Sequence, residues 1–109
     1  MKASELQGTL LDCWVACALN PAERVFLNQD GYTLRWHYKP KPYCTDWAYG
    51  GPIVGSLVNF GYTFMRTDAT GPVRSLNAWG AMDGKDLLEC ALRTYVRMKF
   101  GDEISAPTQ

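Results

Sequence analysis

The sequence predicts an α+β fold, a single domain over residues 1–109 with the element order α-β-β-α-β-β-α, in which antiparallel hairpins pack against helices. Two observations predict this class. Apolar residues recur at helical spacing near both ends of the chain and once in the middle, and segments of alternating pattern lie between them. A chain of 109 residues also suffices for one core without help from metals or disulfides. Residues 105–109 are expected to fray.

The first helix is predicted from about Glu5 to Leu19, where Asn20-Pro21 ends it. Apolar residues cover most of the circumference of its second half, so we expect this helix to lie centrally or to be covered by a second subunit. Asp12 interrupts the apolar stretch and is either an exposed edge residue or a buried, paired carboxylate. The apolar stripe comprises Leu6, Leu10, Cys13, Trp14 and Cys17.

A β-hairpin is predicted next, with strands Glu23–Leu27 and Tyr32–Tyr38 around an Asp30-Gly31 turn. The second strand alternates in character, which places Leu34 and Trp36 on the core side. The cross-strand pairing depends on whether the turn has two residues or a third, bulged one. With a two-residue turn, the opposite face collects Arg24, Phe26, Arg35, His37 and Lys39.

The middle helix is predicted to begin at Pro52, because the missing N–H of proline suits the first helical position. Gly61 is placed to end this helix. A second hairpin follows, with strands Tyr62–Thr67 and Val73–Met82 on either side of a loop rich in turn-forming residues.

The last helix is predicted from about Asp83 to Gly101, since glycine is common just past the end of a helix. Within it, Glu89 is placed to pair with Arg93 one turn later. The core stripe comprises Leu88, Ala91, Leu92 and Tyr95.

Charge and cysteine content narrow the class of protein. The chain has 11 Lys and Arg against 11 Asp and Glu, so no global field attracts it to nucleic acid or to an anionic membrane. No apolar run reaches the length of a membrane span.

Cys13 and Cys17, one helical turn apart, are too distant for a disulfide, and the cysteine spacings match no disulfide framework. We therefore expect reduced thiols and a cytoplasmic location.

The stretch from Tyr43 to Val54 is the most informative, because it places an acid, aromatics and a Gly-Gly-Pro corner where a strand pattern meets a helical one. Paired glycines let the backbone approach a ligand closely, and N–H groups at a helix start can hold an anion. Asp46 is expected to cap backbone N–H groups, and Gly51 to precede the helix. The corner is either a binding site or purely structural. The candidate site residues are Thr45, Asp46, Trp47, Gly50 and Gly51.

Catalytic or metal chemistry has less support in the sequence. A small enzyme using Asp46 with the Gly50-Gly51 corner is an alternative to a binding protein, but no nucleophile–base pair accompanies these residues. His37, the single histidine, could form a nucleophilic site only with Cys44 and Asp46. Cysteines with this histidine could bind zinc, but no Cys-x-x-Cys knuckle is present. We therefore expect no catalytic residue, metal or cofactor, and cysteines that belong to the core.

A basic face on the first hairpin is the better-founded alternative. Four cationic or titratable side chains would share one side of the sheet, where they could bind a phosphate backbone or an acidic partner. The simpler interpretation is that these residues solvate the exposed side of a sheet, and the neutral chain favours it. A nucleic-acid adaptor therefore stays open without being favoured. The four residues are Arg24, Arg35, His37 and Lys39.

Three blocks of the sequence resemble the NinX-like family of small proteins encoded by tailed phages and prophages. They are Leu6-x-Gly8-x-x-Leu11-Asp12-x-Trp14-Val15-Ala16, Thr45-Asp46-Trp47-Ala48-x-Gly50-Gly51-Pro52-Ile53 and Ala91-x-Arg93-x-Tyr95-Val96-x-x-x-Phe100-Gly101-Asp102-Glu103-Ile104. Trp79-x-Ala81 between them also fits, so the resemblance covers nearly the whole chain. The family usually has an acidic residue shortly after Gly-Gly-Pro-Ile, where this chain has Val54-Gly55-Ser56.

The resemblance implies an intracellular accessory protein made in an infected or lysogenic bacterial cell. No activity is established for the family, and small accessory proteins of this sort commonly act by binding. We therefore expect a phage- or prophage-type protein that binds an unknown protein or small ligand, with no membrane association. Because one small domain cannot cover both the first helix and Trp36, Trp47 and Trp79, we also expect a homo-oligomer.

Overall fold

The computed structural model describes residues 1–29, 31–66, 71–77, 80–105 and 107. These residues form three α-helices and two antiparallel sheets in the order α-β-β-α-β-β-β-α, which confirms the predicted α+β class. The helices are α1 (Gly8–Leu19), α2 (Trp47–Asn59) and α3 (Leu87–Phe100). The strands are β1 (Phe26–Asn28), β2 (Gly31–Thr33), β3 (Thr63–Arg66), β4 (Val73–Asn77) and β5 (Gly80–Gly84). The predicted turn residue Asp30, Trp79 and most of the tail predicted to fray lie outside the described residues.

Helix α1 lies between two apolar clusters of its own chain. Leu11 and Val15 belong to the main core, which also holds buried residues of α2, α3 and β5. Cys13 and Cys17 belong to a second cluster with apolar residues from the region of the first hairpin. All four cysteines are free thiols. Most of the apolar circumference of α1 is thus buried within its own chain, so the central position, one of the two alternatives for this helix, is the one observed, while the homo-oligomer stays a prediction.

Helix α1 begins at Gly8 and not at Glu5. A 3-10 turn, Ala3–Glu5, precedes it, and the backbone at Leu6 is extended, with ψ 136°. Leu6 is thereby fully buried, and its carbonyl accepts a hydrogen bond from Nε of Arg93 at 2.6 Å. If α1 included Leu6, the Leu6 carbonyl would accept an N–H of α1. Its hydrogen bond with Arg93 of α3 would then be lost.

The first hairpin is shorter than predicted. Strand β1 pairs antiparallel with β2, and Leu27 lies opposite Tyr32. The second strand ends at Thr33, earlier than predicted, because the backbones of Trp36 and His37 are left-handed, with φ 62° and 61°. An extended strand cannot contain such residues. Trp36 is consequently exposed and does not face the core.

Helix α2 begins at Trp47, more than a turn before the predicted start at Pro52. The side chain of Asp46 accepts the N–H of Ala48 and so caps the helix at this earlier point. Pro52 therefore lies inside the helix. The other end agrees with the prediction, because Gly61 has φ 92° and its N–H bonds to a carbonyl of the last turn.

The second sheet has three strands where two were predicted. The segment Val73–Met82 divides into β4 and β5, which pair antiparallel with Asn77 opposite Gly80. Asp83 consequently belongs to β5 and not to the last helix. Its carboxylate pairs with Nε of Arg74 across the sheet at 2.7 Å.

Helix α3 contributes more buried residues than either of the other helices. Asp86 caps its start, since Oδ1 accepts the N–H of Glu89 at 2.8 Å. Gly101, with φ 88°, ends the helix as predicted. The predicted ion pair between Glu89 and Arg93 is confirmed at 3.2 Å. The predicted core stripe is buried as well, and it comprises Leu88, Ala91, Leu92 and Tyr95.

Candidate functional site

Thr45, Asp46 and Trp47 lie where the connector after the first hairpin enters α2. Oδ1 of Asp46 accepts the N–H of Ala48 at 2.9 Å, and the Asp46 carbonyl accepts the N–H of Gly50 at 2.9 Å. The predicted capping role of Asp46 is therefore confirmed, and this residue fixes the first turn of the helix. Its neighbours on both sides are exposed, and Trp47 keeps 54% of its surface in solvent.

A cavity of about 350 Å³ opens beside this turn, and we call it the α2 cavity. Its lining comes from the entry to α2, the start of α3 and the start of α1. The N-terminal ends of all three helices therefore meet at one cavity, and first-turn N–H groups of a helix lack an intrahelical acceptor. Besides Thr45 and Trp47, the lining includes Gly8, Cys44, Lys85 and Leu88.

Gly50 and Gly51 lie inside α2 and not before it, which contradicts the predicted place of this pair. Gly50 is buried, and a Cβ atom there would meet the carbonyl of Tyr43 and lie 2.7 Å from Cδ2 of Leu88. An added Cβ at Gly51 would lie 3.4 Å from the ring of Trp47. Gly50 therefore permits close packing of α2 against α3, and its backbone faces protein where a ligand was predicted.

Asp12 joins α1 to the lining of the α2 cavity. It is buried, and its Oδ1 accepts the backbone N–H of Cys44 at 2.9 Å, so the buried and paired setting is confirmed. Burial raises the pKa of Asp12, although hydrogen bonds from Cys44 act to lower it. Burial and the neighbouring Asp12 also raise the pKa of the Cys44 thiol to about 12. This thiol is protonated at neutral pH and is a poor nucleophile.

We expect Asp12→Asn to stabilise the protein at neutral pH. The folded state binds the Asp12 proton more tightly than the unfolded chain, so the free energy of unfolding falls as the pH rises from the ordinary pKa of 3.8 through the raised value. Asparagine does not ionise and keeps an acceptor for the Cys44 N–H. Urea unfolding should therefore show no gain at about pH 3 and a gain at about pH 7.

Asp12→Ala is the control for this prediction. It removes the acceptor and leaves the N–H of Cys44 unpaired, which should cost roughly 1–3 kcal/mol of the free energy of unfolding. An Asp12→Asn protein that is less stable than the wild type at neutral pH would contradict the dominance of burial over hydrogen bonding at this carboxylate.

Sequence reasoning missed Lys85 and Asp86, which belong to the lining of the α2 cavity on the α3 side. Asp86 caps α3, and Oε1 of Glu89 accepts the N–H of Lys85 at 3.0 Å. An Asp-x-x-Glu spacing of this kind is a capping-box pattern, and it would have placed the start of α3 correctly. Lys85 is exposed, so a cationic group stands at the mouth of the cavity.

The residues of the predicted basic face are exposed, but they do not share a sheet face, because β2 ends before most of them. Nη1 of Arg35 donates to the Ala22 carbonyl at 2.8 Å. Nη1 of Arg24 donates to the Glu23 carbonyl, also at 2.8 Å. Both guanidinium groups therefore brace the loop between α1 and β1. The four residues of the predicted face are Arg24, Arg35, His37 and Lys39.

The alternative metal and nucleophile sites are not assembled among the described residues. No group of three or more His, Cys, Asp or Glu side chains in this part of the chain could hold a metal ion. Cys44 lines the α2 cavity, whereas His37 lines a separate cavity on the hairpin. A helix able to cross a bilayer is also absent from the described residues.

Comparisons with known proteins assign this chain neither a family nor a function, so its function is inferred from the site. The chain matches no protein-family model, and no curated protein matches it. The fold and the site define a small α+β domain with a half-exposed tryptophan beside a cavity where three helices begin.

Proposed function

We propose that this protein acts by binding a partner or a small ligand at the α2 cavity. The observation that carries the proposal is the position of Trp47, which keeps 54% of its surface exposed beside the cavity. Asp46 already stabilises the first turn of α2, so the helix start does not need this large side chain. Tryptophan at a concave site is among the residues that contribute most to binding at protein interfaces.

The composition of the α2 cavity indicates which chemical groups it suits. Its volume of about 350 Å³ lies within the usual range for small-ligand sites. Trp47 and Leu88 offer apolar contact, while Lys85 and the starts of three helices favour a hydrogen-bond acceptor. The carboxylates of Asp46 and Asp86 already cap two of these helices, which disfavours a strongly charged anion. A flat or aliphatic group with a neighbouring carbonyl fits best.

The small-enzyme alternative has weaker support. It needs a free Asp46 carboxylate beside a glycine corner, whereas Oδ1 of Asp46 accepts the N–H of Ala48. Gly50 and Gly51 belong to the interior of α2. Cys44, the thiol in the cavity lining, has a pKa of about 12, so it supplies little thiolate at neutral pH.

We also propose that the protein is a phage or prophage accessory protein that works in the cytoplasm of a bacterial host. This part of the proposal depends on the three sequence blocks that resemble the NinX-like family. Two of those blocks contribute to the same site: the first supplies Gly8 and Asp12, and the second supplies Thr45 and Trp47. A family that shares these blocks would share the cavity.

Replacing Trp47 tests the binding proposal. We expect the tagged protein to retain a partner from nuclease-treated bacterial lysate, and Trp47→Ala to reduce that capture by at least about tenfold, as truncation of an interface tryptophan commonly does. Trp36→Ala is the matched control, because Trp36 is also exposed but lines the hairpin cavity. Both variants should melt near the wild-type temperature. Undiminished capture by Trp47→Ala would contradict the proposal.

Self-association is a separate proposal and concerns the outer face of the second sheet. Met65 on β3 and Leu76 on β4 are exposed there, and Ala81 on β5 lies opposite Leu76. The ion pair of Arg74 and Asp83 lies on the same face. A face that combines exposed apolar side chains with a paired charge can be buried against a second copy by twofold symmetry. Light scattering over a wide concentration range should give a dimer mass, and a monomer mass throughout would contradict this proposal.

A further inference from the structure

The backbone of Trp36 and His37 places an indole ring in solvent. Both residues are left-handed, with φ 62° and 61°, a conformation unfavourable for residues that have a Cβ atom. As a result Trp36 is 81% exposed, and Tyr38 just after it is 68% exposed. An ordinary extended strand would have turned the Trp36 ring toward the core. An unfavourable backbone conformation that holds a large side chain in solvent is typical of functional sites.

Cationic residues flank these exposed rings in the sequence, and one of them, Lys41, places its Nζ over the ring of Tyr49 on α2, 5.3 Å from its centre. Residues 35–41, Arg-Trp-His-Tyr-Lys-Pro-Lys, include three Lys or Arg and no acid. Arg24 and Arg35 donate hydrogen bonds to carbonyl groups of the loop between α1 and β1. These bonds hold both guanidinium groups beside that loop and leave their positive charges in place. Arg24, Arg35, Lys39 and Lys41 make no ion pair with any carboxylate of the described residues. The Glu23 carboxylate, which accepts the backbone N–H groups of Arg24 and Arg35, offsets part of this charge, and the segment keeps an excess of cations over acids.

A small apolar cavity adjoins the ring of Trp36. Its volume is about 260 Å³. Cavities of roughly 150 Å³ are large enough to hold a benzene ring, so this one has room for a single planar base. The ring of Trp36 borders it, together with Phe26, Leu27, Asn28, Leu34 and His37.

We propose that this part of the first hairpin, residues 35–41 with Arg24 and the adjoining cavity, binds single-stranded nucleic acid. Unpaired bases stack on exposed aromatic rings, while cations alongside contact the phosphates. A duplex would use only the cations, because its bases are already stacked, and an acidic protein would not require the rings. A membrane surface would require a continuous apolar wedge, whereas Arg35 and Lys39 flank the two rings. This surface is separate from the α2 cavity, and the proposal does not depend on the function proposed there.

Fluorescence polarisation with a labelled oligothymidylate tests this proposal. We expect the wild-type protein to bind at low salt, with an affinity that falls steeply as salt is added. Trp36→Asn should weaken binding roughly tenfold to a hundredfold, because a stacking platform is removed. Asparagine tolerates the left-handed conformation better than tryptophan does, so this variant should fold as well as the wild type. Trp47→Ala, the control, should bind with unchanged affinity.

A charge variant gives an independent measurement. Lys39→Gln should reduce the slope of log affinity against log salt by about one, as loss of one phosphate contact does. Undetectable binding at low salt would overturn the proposal, and so would equal affinity for duplex DNA or unweakened binding by Trp36→Asn. Sedimentation with anionic phospholipid vesicles, without binding of the oligothymidylate, would assign the surface to membranes and would also overturn it.

Discussion

Arg93→Met is expected to lower the free energy of unfolding by roughly 3–5 kcal/mol, because it leaves a buried carboxylate without its cation. Nη2 of Arg93 lies 3.2 Å from Oε1 of Glu89, and the side chains are only 13% and 6% exposed. The same guanidinium donates to the Leu6 carbonyl at 2.6 Å and to the Asp83 carbonyl at 3.0 Å. Arg93 therefore joins the N-terminal segment, β5 and α3, and methionine keeps only the apolar part of its stem.

Arg74→Met is the matched control, because Arg74 also pairs with a carboxylate. Its two bonds to Asp83, at 2.7 and 3.1 Å, lie on a surface where both side chains are nearly half exposed, at 47% and 46%. An exposed pair contributes little to stability, so urea unfolding should separate the two variants clearly. Adding Glu89→Gln to Arg93→Met should restore part of the loss. Equal losses for Arg93→Met and Arg74→Met would contradict the buried-charge account.

Gly50→Ala is expected to destabilise the protein by roughly 1–3 kcal/mol, although alanine is normally the better helix residue. The added Cβ would meet the carbonyl of Tyr43 and lie 2.7 Å from Cδ2 of Leu88. A backbone carbonyl cannot rotate away as a flexible side chain can, so α2 must shift relative to its neighbours. Because Leu88 lines the α2 cavity, this shift would also alter the proposed binding site.

Gly55→Ala makes the same chemical change in the same helix. An added Cβ at Gly55 has no heavy atom within 4 Å apart from its own chain neighbours and helix backbone. This substitution should therefore raise the free energy of unfolding by roughly 0.5–1 kcal/mol through the lower helix propensity of glycine alone. The two glycines are predicted to respond with opposite sign. Two losses of similar size would show that close packing at Gly50 is not the cause.

The helical parts of the fold were largely predictable from sequence, since their determinants are local. The α3 stripe, the ion pair between Glu89 and Arg93, and the helix-ending roles of Gly61 and Gly101 all depend on residues a few positions apart. The start of α2 was wrong for a local reason as well. Pro52 and Asp46 both indicate a helix start, and the hydrogen bond from Ala48 to Asp46 prevailed.

The strands were less predictable, because their limits depend on backbone conformations that the residue types do not specify. Period-two alternation extends through Trp36 and His37, and tryptophan, unlike histidine, is not a residue type enriched in the left-handed region. The division between β4 and β5 was missed for the opposite reason, because here the residue types did indicate a break. Asn77 and Gly80, which flank the division, are common turn residues, but the alternating pattern of the segment led to the prediction of one continuous strand.

The candidate site was predicted in part. Thr45, Asp46 and Trp47 could be singled out, because an acid before an aromatic and a glycine pair is unusual at a helix start. The hydrogen bond from Cys44 to Asp12 could not be predicted, since it joins residues 32 positions apart. The contribution of Lys85 likewise depends on how α3 packs against α2. Sequence could therefore indicate one side of the cavity, and tertiary packing supplies the other.

The most direct test of binding at the α2 cavity is a nitrogen-15 NMR spectrum of the protein with and without its captured partner. Each tryptophan indole N–H gives its own signal, so Trp36 and Trp47 report separately on the two surfaces. We predict that the indole signal of Trp47 and the amide signals of Thr45 and Leu88 will shift or broaden, while the indole signal of Trp36 stays in place. Unchanged signals at Trp47, Thr45 and Leu88, with shifts elsewhere in the spectrum, would contradict the proposal.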